Sequence, residues 1–288
     1  MIVSPLSLQK KVTELYTKGF ARGHDTGWPS LDEHFSVKAG ELTVITGTPS
    51  HGKSHWLDSL LVNLSMQHNY RTLMFSPENY PLELHASRIL EKFLQEPFFG
   101  YNRMSQEDMG KALETMDKHF KFIVPDETEF TPSHIVDEAA TWINQNISPA
   151  QIANLAVVID PWNEMDHYRP LGLTETEYIS RILTDIRRFA REFNCHLFLV
   201  AHPQKLRRDK DGSYPVPTPY DIAGSAHFYN KPDNIITIWR DVLNKPTITQ
   251  VHIQKVRFNS TGHPGIIELA YDKEKSTYTE APRSDLLK

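Results

Sequence analysis

Eight consecutive residues carry the first chemical signal. Gly47, Thr48, Pro49, Ser50, His51, Gly52, Lys53 and Ser54 satisfy G-x-x-x-x-G-K-[ST] at every fixed position. The glycines let backbone N–H groups turn inward on an anion, and the helix that follows aims its N-terminal dipole at the same point. Lys53 is placed to reach the β- and γ-phosphates of a nucleoside triphosphate, and the Ser54 hydroxyl to ligate magnesium. His51 stands at a variable position and reads as a tolerated loop residue, not a catalyst.

A phosphate loop needs carboxylates from elsewhere. "LAVVIDPWNE" is a run of β-formers ending in Asp160, the form taken by an acid that holds magnesium through water. A strand-end Asp opening a turn before Pro161 is the plainer alternative. Glu164 and Asp166 lie farther along and read as loop solvation. "RTLMFSPEN" puts Glu78 just past another strand, where a carboxylate could orient and deprotonate an attacking water. "HLFLVAHPQ" does the same with His202, which can hydrogen-bond a γ-phosphate. For Glu78 and His202 an exposed polar strand end explains the pattern equally well.

The elements that must position these residues alternate along the chain. "GELTVITG", "RTLMFS", "KFIVP", "LAVVID" and "HLFLVA" read as buried strands. Helices are expected after Ser54 (Leu57, Leu60, Leu61 and Leu64 as its apolar stripe), over 81–94, near 105–119, from Thr131-Pro132 to about 146, and along the stripe Ile182, Leu183, Ile186, Phe189, Ala190 and Phe193. From 235 onward "IITIWR", "TQVHIQKV" and "GIIELAY" follow one another with only short turns between. The pattern predicts an α/β domain over 23–288, with a largely parallel sheet, helices on both faces and antiparallel strands added at one edge. Residues 1–22 precede it with a lone helix over 6–20, whose Leu8, Val12, Leu15 and Tyr16 share one side.

Composition sets limits. A chain of 288 residues with 39% hydrophobic and 23% charged residues can bury a full core. A net charge of -5 argues against a globally basic nucleic-acid binder but leaves room for a local basic lining. The single cysteine, Cys195, reads as a reduced buried thiol, and so as a mark of an intracellular protein. No stretch approaches the ~20 apolar residues of a membrane span, and "MIVSPLSLQKKVTELY" is too charged for a signal peptide.

Taken in order, these pieces resemble the RecA-like motor domain of the DnaB superfamily of ring-shaped replicative helicases, in the style of phage primase-helicases and Twinkle. The resemblance runs from "TGWPSLDEHF" through the phosphate loop, "FSPEN", "VVIDPW", "VAHPQ" and "KVRFNSTG" to "LAYD". It implies that Glu78 is the catalytic base, Asp160 the magnesium-associated acid and His202 the γ-phosphate sensor. Lys255 and Arg257 look like the Lys-x-Arg pair delivered to a neighbouring subunit's nucleotide, against a plainer reading as solvated cations on a strand edge. Arg240 and Tyr271 resemble residues that clamp the base. The segment 203–224, with Lys205, Arg207, Arg208, Lys210 and Gly224, resembles the loop that grips single-stranded DNA; a solvated charged loop is the alternative. The leading helix resembles the linker that docks on an adjacent subunit.

The implied cofactors are ATP or another nucleoside triphosphate and Mg2+. The implied partners are single-stranded DNA, further copies of the chain in a ring of six, and a primase domain or protein, in the cytoplasm of a bacterial or phage-infected cell. Zinc-ligand cysteines, a primase-type acidic domain and a helical N-terminal collar are missing from the pattern. That departure suggests either a motor-only helicase or a piece of a primase-helicase. Two other readings share the core: a RecA- or RadA-like recombination ATPase, and a RecA-fold ATPase unconnected with DNA.

Overall fold

A computed structural model describes residues 2–124, 130–148, 152–210, 212–224 and 226–282. Pro125 of the expected "KFIVP" strand and Asp211 of the expected DNA loop lie outside them. Nine strands form one sheet in the order β3-β2-β4-β5-β1-β6-β7-β8-β9. These are β1 (Leu42–Thr46), β2 (Arg71–Phe75), β3 (Phe120–Phe122), β4 (Leu155–Ile159), β5 (His196–Val200), β6 (Asn234–Trp239), β7 (Ile248–Val256), β8 (Gly265–Asp272) and β9 (Thr277–Glu280). β1 to β6 run parallel, so their C-terminal ends reach one edge; β7, β8 and β9 are antiparallel additions. The first of the late strands, "IITIW", thus completes the parallel part, pairing Val44 with Ile235.

β1, β4 and β5 are buried at all five positions, as continuous Val/Ile/Leu runs covered on both faces require. One face carries α3 (Lys53–His68), α4 (Leu82–Leu94) and α5 (Gln106–His119), which meet Ile45, Val158 and Phe198. The other carries α6 (Pro132–Asn146) and α7 (Glu175–Glu192), which meet Val44, Val157 and Leu199. Thr131 caps α6 and Thr174 closes a capping box with Glu177 on α7, so both crossover helices start where the sequence supplies an acceptor.

Two expectations are corrected. α3 is not a one-sided amphipathic helix: Trp56, Asp58, Ser59, Val62 and Ser65 are buried along with its leucine stripe, because β9 and α4 cover the side that faces away from the sheet. β3 spans only three residues, paired with Thr72, Leu73 and Met74 of β2.

Ahead of the sheet, a 3-10 turn (Pro5–Leu8) leads into α1 (Gln9–Lys18), which has no buried residue. A second short helix, α2 (Pro29–Asp32), seats Trp28 and Leu31 in the core. Among the described residues the last helix is α8 (His227–Asn230), just before β6.

Candidate functional site: a phosphate loop and the strand ends around it

The edge where β1, β2, β4, β5 and β6 all end is where an α/β sheet offers backbone groups to a ligand. A cleft of about 480 Å³ opens there, lined among others by Lys53, Ser54, Glu78, His202, Arg240 and Tyr271. Residues far apart in sequence meet because each lies just beyond its own strand. Tyr271 joins them because β8 runs antiparallel and brings this end back to the Trp239 side.

The loop itself is held close. Gly47 has φ +150°, and a Cβ there would sit 2.2 Å from the Ile238 carbonyl oxygen, so only glycine allows β1 to turn against β6. Lys53 is 6% exposed, and its Nζ donates to the carbonyls of Gly47 (3.0 Å) and Thr48 (3.3 Å). Burial pulls its pKa down, while Asp160 and Glu78 favour the charged form. The Thr48 hydroxyl is buried without a hydrogen-bond partner. Arg240 folds over the loop, donating from Nη2 to the Ser50 carbonyl at 2.9 Å.

Asp160 is 3% exposed and its Oδ1 makes no hydrogen bond within the protein. Burial pushes its carboxyl up to about 6, against the hydroxyl of Ser54 and the charge of Lys53. An orphaned buried carboxylate oxygen beside a serine hydroxyl and below an anion cradle fits a divalent cation, which takes hard oxygen ligands. Glu78 is half-exposed, and its Oε2 lies 3.4 Å from His202 Nε2. Burial is the main cause that lowers the His202 pKa, with Lys53 adding to it, so the ring is neutral near pH 7. The His202 backbone N–H donates to Asn163 Oδ1 at 2.7 Å, which ties the β5 end to the turn after β4.

Sequence patterns passed over a polar network behind Glu78. Asn79 donates to Ser76 Oγ (2.6 Å) and Asp160 Oδ2 (3.4 Å), and accepts from Arg88 Nη2. Arg88 also faces Asp58 at 3.9 Å, and Asp58 accepts from His85 Nε2 at 3.1 Å. Asp58, set among leucines on a buried helix, was the available signal. Arg88 offered none, because only packing of α4 on α3 brings it to the cleft, where it meets Asn79 in the turn after β2.

Lys255 and Arg257 stand elsewhere. Lys255 pairs with Ile235 near the start of β6, whereas Trp239 and Arg240 end that strand beside the loop, so the pair occupies the opposite sheet edge. Lys255 Nζ donates to the carbonyls of Tyr229 (2.6 Å) and Pro232 (2.9 Å). Arg257 donates to the Asn230 carbonyl (2.8 Å) and pairs with the fully buried Asp233 (3.0 Å), which Arg187 grips from the other side.

The segment 203–224 is pinned at both ends, by Gln204 N–H on the Asp221 carbonyl and by a bridge between Pro203 and Ile222. Lys205, Arg207 and Lys210 are exposed. Arg208 is exposed as well, and its guanidinium lies 4.5 Å from the Tyr214 ring centroid and donates to the Gly212 carbonyl. Gly224 has φ +97° and packs against Ile179 and Glu175 with no room for a Cβ. His51 departs from expectation, being 3% exposed and hydrogen-bonded to Arg240 rather than a free loop side chain. Cys195 is buried and unpaired, its thiol pushed up to about 12. Among the described residues no helix is long and apolar enough to cross a membrane.

Comparison with known proteins places this geometry. A family model described as DnaB-like helicase C terminal domain matches residues 23–280. The chain is 37% identical over 277 residues to the Twinkle homolog protein, chloroplastic/mitochondrial, of Arabidopsis thaliana, covering 92% of this chain and 38% of that one. It is 21% identical to the replicative DNA helicase DnaB of Buchnera aphidicola, covering 89% of this chain and 56% of that one. The chain therefore spans less than two thirds of the length of these relatives. Among solved structures it resembles the ATPase domain of G40P (TM-score 0.75, 19% identity, 98% and 100% covered). It also resembles a DnaB-like replicative helicase described with its interactions with primase (TM-score 0.73, 19% identity, 98% and 68% covered). The RadB recombinase shares the fold more loosely (TM-score 0.58, 16% identity, 90% and 99% covered).

Proposed function

The chain belongs to the DnaB-like helicase C-terminal domain family, and we propose that it is the ATP-hydrolysing motor of a replicative DNA helicase, acting in a ring of copies on single-stranded DNA. The observation that carries this reading is the separation of Lys255 and Arg257 from their own phosphate loop, at opposite edges of one sheet. A cation pair set at the far edge from its own phosphate loop is placed to serve a neighbour's nucleotide, which supports the reading.

The phosphates of ATP replace the Gly47 and Thr48 carbonyls as partners of Lys53 Nζ, while the loop N–H groups hold the β-phosphate. Ser54 Oγ, and Asp160 through water, would hold Mg2+, whose charge offsets that building between the β- and γ-phosphates. Glu78 takes the proton of the attacking water, with His202 Nε2 3.4 Å from its carboxylate. His202 donates from Nε2 to the γ-phosphate and loses that partner after hydrolysis, a change its N–H bond to Asn163 carries into the turn after β4. Arg240 and Tyr271 flank the base. Arg257 of the next copy adds positive charge at the transferring phosphoryl group, and Lys255 accompanies it. The exposed Lys205, Arg207 and Lys210 track the DNA backbone without reading sequence. A ring of six copies, with α1 as linker and a primase as partner, is the form the family resemblance supports, and the domain division at 22/23 follows the same pattern.

ATP turnover measured with and without single-stranded DNA, together with mass in solution with and without nucleotide, tests this reading. DNA should accelerate turnover and bind in a salt-dependent way, in a particle several copies large. Absence of both stimulation and salt-dependent binding would refute it. A recombination ATPase would instead form open filaments, visible by electron microscopy.

A further inference from the structure

Beyond the residues that touch nucleotide, one cluster joins the phosphate loop to the basic segment within the same chain. His51, inside the loop, turns its imidazole away from the nucleotide cleft. Its Nδ1 accepts the Arg240 backbone N–H at 3.1 Å, and its ring lies 6.3 Å from the Trp239 ring and 6.5 Å, edge-on, from the Tyr214 ring. Trp239 donates from Nε1 to the Tyr214 carbonyl at 2.9 Å. Arg208 covers the Tyr214 ring, fixing the return limb of the basic segment, and the Pro217 carbonyl accepts from Thr237 and Gln254. Residues 212–217 are thus bonded at two levels to β6 and β7, and Tyr214 meets the phosphate loop at the His51 imidazole.

The imidazole is neutral at physiological pH. Burial, with Arg240 and Lys53 nearby, pushes its pKa down to about 4. With Nδ1 accepting, Nε2 carries the proton, and the ring behaves as an aromatic wedge rather than a charge. The imidazole is 3% exposed and borders both rings, so a shift of the loop on phosphate binding changes its contacts with Trp239 and Tyr214.

We propose that His51, Trp239 and Tyr214 are positioning residues that couple the phosphate loop to the 203–224 segment in cis, so that nucleotide at the loop sets where Lys205, Arg207 and Lys210 stand. The inference rests on the motor reading, and deepens it by naming the path from nucleotide to the basic segment within one subunit. By reciprocity, DNA on the segment must change nucleotide affinity by the same factor.

The test uses the full chain as wild type, Tyr214→Phe, Tyr214→Leu and Trp239→Phe. A fluorescent ATP analogue and an oligo-dT strand are titrated separately, then oligo-dT is titrated in the presence of a non-hydrolysable ATP analogue. Wild type and Tyr214→Phe should gain oligo-dT affinity on nucleotide addition by about tenfold, within the usual range for coupled sites. Tyr214→Leu should drop that gain below about twofold, while its affinity for nucleotide alone stays within about twofold of wild type. Trp239→Phe, which keeps a ring but loses the indole N–H, should fall between and guards against misfolding of the leucine variant.

A second readout needs no DNA. Nucleotide should alter trypsin cleavage at Lys205, Arg207 and Lys210 in wild type and Tyr214→Phe, and leave it unaltered in Tyr214→Leu. Undiminished coupling and nucleotide-dependent cleavage in Tyr214→Leu would overturn the proposal. So would a parallel loss of nucleotide affinity, since the ring would then merely prop the loop. Wild type that binds nucleotide but no oligo-dT would refute the motor reading instead, and the cleavage pattern would still decide on the link.

Discussion

Replacing Arg257 and Arg187 by alanine separates two roles played against one carboxylate. Asp233 is fully buried and accepts from Arg187 through both Nε (3.1 Å) and Nη2, from the Leu42 N–H (3.2 Å) and from Arg257 Nε (3.0 Å). Arg257→Ala leaves the bidentate Arg187 pair and the Leu42 bond in place. Arg257 is about one-third exposed, so its loss should cost no more than about 1 kcal/mol of stability. Arg187→Ala strips the two-pronged partner from a carboxylate with no access to water, which should cost about 3 kcal/mol. At roughly 2 °C per kcal/mol for a chain of this size, melting should fall by about 2 °C in the first variant and about 6 °C in the second.

Turnover should order the other way. An arginine supplied to a neighbour's phosphoryl group contributes about 10³-fold or more, or ~4 kcal/mol of barrier. Arg257→Ala should therefore be nearly inert, and Arg187→Ala near wild type per folded molecule. Each mixed interface pairing an intact loop with an intact Arg257 should work, so adding Lys53→Ala protein to Arg257→Ala protein should restore part of the rate. The assay is DNA-stimulated ATP hydrolysis alongside thermal melting. Wild-type turnover in Arg257→Ala, or no recovery at any mixing ratio, would refute the trans assignment.

Other expectations follow from the same geometry. Glu78→Gln should lower turnover by about 10²–10⁴-fold while a fluorescent ATP analogue still binds; retained turnover would remove Glu78 as the base. Gly47→Ala should abolish nucleotide binding, because its Cβ would collide with the Ile238 carbonyl, and equilibrium binding reads this directly. Neutralising Lys205, Arg207 and Lys210 together should reduce the slope of log affinity against log salt for single-stranded DNA by about 2. His51, His55 and His196 are buried neutral, each pushed down to about 4. The unfolded chain therefore binds more protons between pH 6.5 and 4, and stability must fall as pH drops through that window. From pH 7 to pH 5 each contributes about 2 kcal/mol of loss, while Asp160, raised to about 6, offsets about 1 kcal/mol. Urea midpoints at the two pH values check the net fall.

The fold was legible where burial forces composition. Strands covered on both faces are rich in Val, Ile and Leu, and "LTVIT", "LAVVI" and "HLFLV" read as such once helices alternate with them. β9 escaped notice because it is four residues with three polar, and only Tyr278 is buried. α2 is four residues long and is held by Trp28, whose indole donates to the Tyr278 carbonyl 250 residues away. The site divided along the same line. Glu78, Asp160 and His202 were visible because each ends a strand. Asn79, Arg88 and Tyr214 were not, since their partners are fixed by helix packing and loop return rather than by spacing. His51 was misjudged because a variable motif position says nothing about which way its side chain points.

The antiparallel extension has a consequence for direction. β7 spans nine residues, about 30 Å, and separates the end that closes over a nucleotide from the end that presents Lys255 and Arg257. A chain built so has a head and a tail. If the two ends meet between copies related by translation or rotation in one sense, the contact is heterologous, and repeating it builds a ring or an open helix. In the proposed ring successive copies would then point the same way, and the assembly would inherit an arrow from the single chain. Motion along a strand of nucleic acid would need no separate device to choose its sense.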